Sequence, residues 1–270
     1  MVVTVSLARG AVRAAAERQS RLSATALAQL KKLGYEAPAT LRRYAEWFRK
    51  HQAAHEKHAL LIVFGMIGRR TGAFSAYLPQ FQEIDGAWNL GIHLLQFEFS
   101  PGNLQSVEMR RLPVRISGHA LERMFQRTNT VEWPAIRDCL AGATLFLNAA
   151  MAAYRDSGCR RCAIPAEKGT LVGQVADGVM YLRTFLPDSN LSPKWQSLYD
   201  DLRTFAANNT EEINRAALAP DDRASRLLGE VLKLGKFRWL SLPYSPGHDP
   251  LEDAWASKGA APDAEPEDPT

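Results

Sequence analysis

The stretch RRCAIPAEKGTLVGQVADGVMYLRTFLP, from Arg160 to Pro187, most limits what this chain can become. It reads as three short strands. Lys168-Gly169 and Asp177-Gly178 mark the turns between them, and Asp-Gly between apolar runs is a strong hairpin signal. A meander of this kind must lay one face on other elements, so the neighbouring segments decide the fold.

Those neighbours alternate in type. Residues 1–33 carry Ala, Leu, Arg and Gln in a helical pattern, with Ser23 as an N-cap for a second helix that Gly34 ends. The Arg-rich, acid-poor start has a transit-peptide composition but no cleavage-like break, and is read as an amphipathic helix. Thr40 caps the next helix, LRRYAEWFRKHQAAHEKHALL. Strand-like runs follow: LLIVFGMI, WNLGIHLLQFEFS and VEMRRLPVRIS, the last broken at Pro113. Then comes the helix ISGHALERMFQR. Thr130 caps a further helix, VEWPAIRDCLAG, with Trp133 and Pro134 in its first turn. After the meander, a helical region runs from about Pro193 to Leu234 and is capped at Gly235.

The expectation is an α+β fold: a small antiparallel sheet with packed helices, flanked by N- and C-terminal helices. It divides into a helical region 1–59, a strand-rich region 60–112, an α+β domain 113–190, a helical region 191–245 and an acidic tail 246–270. The tail is rich in Pro, Ala, Asp and Glu and is expected to be disordered.

Charge is unevenly placed along the chain. The net charge is +4, but the tail holds seven acids and one base, which leaves the body at +10. Such a body suits an anionic partner such as nucleic acid. Only three cysteines occur, Cys139, Cys159 and Cys162. A sparse, odd count points to a reducing compartment, and Cys159-Arg-Arg-Cys162 lacks the second pair of a zinc ribbon. No run approaches the roughly 18 apolar residues of a membrane span, so a cytoplasmic protein without a membrane partner is expected.

One helix face carries chemistry. His119, Arg123 and Arg127 are spaced four and four apart, which stacks them on one side of a helix. A histidine acts as general acid or base near neutral pH. Two arginines on successive turns can hold a phosphate and stabilise charge in its transition state. The plainer reading of the same spacing is a solvated face in which Glu122 and Arg123 form surface pairs.

The order ISGHALERMFQR, second helix, then CAIPAEKGTLVGQVADGVMYLRTFLP resembles a bacterial family of toxin-like domains. Their pattern is a strand ending in Ser or Thr, His-Ala-x-x-Arg-Met-x-x-Arg, a second helix and a meander whose last strand ends in a Thr-containing motif. The matching residues are Ser117, His119, Ala120, Arg123, Met124, Arg127 and Thr184, within Val114 to Pro187. This family is similar to the RelE, colicin D and barnase–EndoU superfamily of metal-independent ribonucleases. Many relatives run Gly-Ile-Ser after the second arginine, where this chain has Thr-Asn-Thr.

The resemblance implies a toxin-like endoribonuclease that needs no cofactor. His119 would be the acid or base, Arg123 and Arg127 would neutralise phosphate, and Thr184 would orient it. Lys168 and Arg183 would bind substrate. The partners implied are RNA (tRNA or mRNA) and a protein antitoxin or immunity partner. The rival expectation is a non-catalytic module that docks nucleic acid or an acidic protein with the same basic face.

Three other features are weaker signals. His51, His55 and His58 share a helix face but lack an HExxH context and read as a polar face. His93 lies in an apolar strand and reads as half-buried and satisfied. Gly65, Gly68 and Gly72 in FGMIGRRTG lack the Lys-Ser/Thr ending of a phosphate loop, although Arg69 and Arg70 add basic surface.

Overall fold

The computed structural model of the 270-residue chain describes residues 2–35, 46–47, 49–50, 59–67, 69–156, 161–191, 193–209 and 213. In chain order these form α1 (Val5–Tyr35), β1 (Leu61–Met66), β2 (Gly72–Ile84), β3 (Ala87–Ser100) and β4 (Asn103–Ile116). Then come α2 (Gly118–Arg127), α3 (Trp133–Asp156), β5 (Arg161–Ala166), β6 (Gly169–Ala176), β7 (Val179–Pro187), one 3-10 turn and α4 (Pro193–Asn208). Thr40, His51, His55, His58, Gly68, Cys159, Gly235 and the acidic tail lie outside the described residues.

The seven strands of the described residues join one sheet in the order β1-β2-β3-β4-β7-β6-β5. The α+β expectation is met, but the small antiparallel sheet is not: the sheet is larger and mixed. β1 to β4 form one antiparallel meander and β5 to β7 another. The two are joined by a parallel seam, Val114–Ile116 against Met180–Leu182. β4 passes through residue 112, so the regions 60–112 and 113–190 share this sheet. Alternation within a strand marks its two faces but not its partner, which is why the seam was not visible in the sequence.

The turns follow their residues. Asp85-Gly86 and Asp177-Gly178 all have positive φ, between 50° and 74°, as a two-residue turn matched to strand twist requires. Pro113 falls where β4 slips register against β3, which is where a sheet tolerates a residue without an amide donor.

The helices are longer than their local signals suggest. α1 runs unbroken through Ser23 and past Gly34. A serine inside a helix is only about half a kcal/mol worse than alanine, too little to stop an Ala/Leu-rich run. Ala8, Val12, Ala15 and Ala16 form its buried stripe. α3 likewise continues through Gly142 to Asp156, because buried Ala143 and Leu147 carry its apolar face onward. Thr130 does not cap α3 directly. Its hydroxyl accepts from the Glu132 amide at 3.1 Å, forming a turn just ahead of the helix.

The sheet has two faces. One carries Tyr77, Leu90, Ile92, Leu94, Val114, Ile116, Met180 and Leu182 against Leu121, Met124 and Phe125 of α2 and the stripe of α1. The other, over β1 to β3, carries Ile62, Phe74, Leu78, Leu95, Phe97 and Phe99, with Trp47 edge-on to Phe99 at 5.8 Å. Cys139 and Cys162 are buried in the first core, neither in a disulfide. Burial is the main reason the Cys139 thiol is pushed up from its ordinary range.

Candidate active site on helix α2

The site begins where β4 ends. Ser117 has extended backbone, and its hydroxyl accepts from the Ala120 amide at 3.1 Å, the ordinary work of an N-cap. The same hydroxyl donates to the Arg183 carbonyl at 3.0 Å, and the Ser117 amide donates to the Leu182 carbonyl at 2.9 Å. The start of α2 is thus pinned to β7. Gly118 is pressed against the Trp88 carbonyl of β3, where a Cβ would collide. These contacts fix the direction in which the next side chain, His119, leaves the fold.

His119 is exposed on the solvent side of α2. Its Nε2 accepts from Nε of Arg123 at 3.5 Å, a long contact. Acceptance at Nε2 requires the proton to sit on Nδ1. Partial burial, then the Arg123 charge, hold the imidazole below its ordinary range, while Glu122 pulls the other way. The ring is therefore mainly neutral at pH 7, the form that takes a proton. Glu122 is engaged by Arg9 of α1 at 3.2 Å. Arg127 is exposed in the last turn of the helix, where a cation also complements the helix dipole.

The other expected residues are spread out. Arg183 sits at an irregularity of β7: Leu182 pairs with Gly173 and Thr184 with Val172, so Arg183 is the extra residue. Its side chain is exposed and its carbonyl is the one that holds Ser117. Phe185 is in the core beside α2, so alternation sets half-buried Thr184 on the opposite face of the sheet. Lys168 is exposed in the β5–β6 turn, at the far end of β7, where the Asp188 amide reaches its carbonyl. Four strand residues separate that end from Arg183, about 13 Å. The structure therefore brings together His119, Arg123 and the backbone of Arg183, with Arg127 a turn away. Thr184 and Lys168 are not part of that group.

Sequence reasoning missed the residues of the second sheet face near this corner. Arg115 lies over the Tyr181 ring, 5.5 Å from its centroid, and Arg111 donates to Gln82 at 3.0 Å. His93 is half-buried, as expected, and stands opposite Arg111 on the neighbouring strand. Alternation alone could have put these residues on one face, but only the register brings them together. Among the described residues, no group of three or more His, Cys, Asp or Glu side chains has metal-binding geometry, and no helix is long and apolar enough to cross a membrane. Comparison with known proteins finds no matching family, curated protein or solved structure.

Proposed function

We propose that the chain is a toxin-like endoribonuclease that works without a metal, with His119 as its proton-transfer group and Arg123 and Arg127 as phosphate contacts. The observation that carries this reading is the His119–Arg123 pair. A neutral imidazole and a guanidinium share an exposed helix face just after a cap that fixes their direction.

The chemistry balances with these groups. His119 removes the proton of a ribose 2′-hydroxyl, whose oxygen bonds to phosphorus while the bond to the 5′-oxygen breaks. The product is a cyclic phosphate; the leaving oxygen takes a proton from water, and the His119 imidazolium returns its proton to the hydroxide so formed. Arg123 and Arg127 offset the charge on the pentacoordinate phosphorus, the role a preorganised guanidinium fills well. The substrate is RNA, tRNA or mRNA, in the cytoplasm. A protein antitoxin or immunity partner would cover the basic face of α2.

The position of Thr184 favours a second reading. It alternates away from α2, so no phosphate-orienting hydroxyl joins His119 from β7. A binding module that uses the same cations without turnover needs no such group. Incubation of the purified chain with total RNA in EDTA separates the two. Cleavage that survives chelation and is lost in His119→Ala supports the enzyme. Intact RNA that is nevertheless retained by the protein supports the module. Activity lost in EDTA and restored by zinc overturns the metal-free mechanism.

A further inference from the structure

The second face of the sheet is apolar over β1, β2 and the far half of β3. Its character changes where β3, β4 and β7 run side by side. Register and alternation set Gln82, Gly91, His93, Arg111, Arg115 and Tyr181 on this part of the face. The acids of the described strands, Glu83, Glu98 and Glu108, all alternate onto the opposite face.

The irregularity in β4 concentrates the cations. Arg111 and Arg115 are four residues apart in sequence, but they pair with His93 and Gly91, which are only two apart on β3. On a regular strand they would lie about 13 Å apart; against β3 the separation is about 7 Å. Arg111 reaches back along the sheet to Gly91: a Cβ there would be in ordinary contact, 3.8 Å, with both Nε and Nη2 of Arg111. Arg111 thus lies beside Gly91, the residue opposite Arg115, and Gln82 holds it there. The Arg115 guanidinium lies over the Tyr181 ring, its carbon 5.5 Å from the ring centroid.

We infer that this face binds a single-stranded nucleic acid, with Arg111 and Arg115 on phosphates and the Tyr181 ring beside Arg115 as a platform for a base. A charge patch alone would suit any polyanion, but an aromatic ring beside a guanidinium adds a surface on which a base can stack. Only unpaired bases can reach it, because a broad sheet does not enter a duplex groove. The site lies on the other side of the sheet from the core side of α2. It extends the reading of α2 and does not depend on cleavage there.

Fluorescence anisotropy of a labelled oligouridylate with the full chain tests it, beside an oligodeoxythymidylate and an RNA duplex. Both single strands should bind at low salt, because neither arginine nor tyrosine reads the 2′-hydroxyl. Tyr181→Leu should weaken binding about tenfold, since one stacked base is worth roughly that much. Removing Arg111 and Arg115 together, as alanines or as glutamines if the alanines lower the Tm, should weaken it further. It should also flatten the salt dependence by about one unit of slope per arginine. Arg115→Lys keeps the charge and should still lose affinity, because an ammonium does not stack. The inference is overturned if the folded double variant binds like the unaltered chain. Equal affinity for the duplex overturns it as well, as does loss of all binding on removing Arg123 and Arg127 alone.

Discussion

The hydroxyl of Ser117 bridges two elements: it accepts from the Ala120 amide of its own helix and donates to the Arg183 carbonyl on β7. Helix α2 therefore starts at a point set by a strand 66 residues further along the chain. The Arg183 carbonyl is available because the strand is irregular there. One small side chain thus couples the direction of His119 to the shape of β7.

Ser117→Ala removes both bonds. The cap is worth about 1 kcal/mol and the second bond about another, so a loss of roughly 2 kcal/mol is expected. Urea unfolding measures it. A loss below a few tenths would mean that neither bond contributes in solution. Ser117→Thr should recover most of the loss, because threonine also caps.

Gly118→Ala tests the close approach to β3. The added methyl meets the Trp88 carbonyl, which is backbone and cannot turn aside. Alanine would ordinarily favour a helix, yet here a loss of about 1–3 kcal/mol is expected from overpacking. A more stable variant would show that α2 can lift away from the sheet without penalty.

The His119 imidazole should titrate below 6.5, because burial and Arg123 both disfavour its charged form. The sign for stability follows. The unfolded chain binds the proton more readily, so stability from this group is fully present above pH 6.5. It is lost as pH falls from there through the folded value. Arg123→Gln removes one of the two causes and should move the NMR titration of His119 upward. If cleavage is observed, the acid limb of its pH profile should move the same way. A titration unchanged in Arg123→Gln would mean that the guanidinium does not sit by the ring.

Replacing the two groups themselves should separate chemistry from folding. His119→Ala should lower the cleavage rate by about 10²–10⁴ with little change in Tm, because the side chain is exposed. Arg123→Ala should also slow cleavage, and Arg123→Lys should restore it poorly, since lysine lacks the planar fork. An activity that falls only in step with the folded fraction would assign both residues to structure.

Arg203 of α4 reaches the carbonyls of Ala166 and Gly169 and the carboxylate of Asp188, at 3.3, 3.1 and 2.7 Å. It fastens α4 to the turn that precedes β6 and to the end of β7. Arg203→Met keeps the stem and removes these three bonds, together with the one to Asp200 within α4. Amide exchange in residues 193–208 should then accelerate while β2 and β3 stay protected. Uniform acceleration would mean that α4 is integral to the global core.

The element types were legible in the sequence wherever a local rule governs. The Asp177-Gly178 hairpin, the helix beginning after Ser117 and the strand from Trp88 are all where composition sets them. Helix lengths were not, because Ser23 and Gly142 are weak stops beside a buried stripe whose partners lie far along the chain. The His119–Arg123 pair follows from helical spacing alone. Its separation from Thr184 could not be foreseen, since it turns on one extra residue, Arg183, that reverses the alternation of β7. The Arg111–Arg115 convergence is hidden for the same reason: it arises from a slip in register, which depends on a neighbouring strand.

The seam between β4 and β7 has a consequence for how the chain assembles. Each meander pairs strands that follow one another, so each can zip up from its own turns. The seam must close a loop of more than sixty residues for three residue pairs of parallel contact. Such a junction belongs late in folding, after both meanders exist. Until it forms, Ser117 has no carbonyl on β7 to hold. The arrangement around His119 is then completed only when the two halves of the molecule have met.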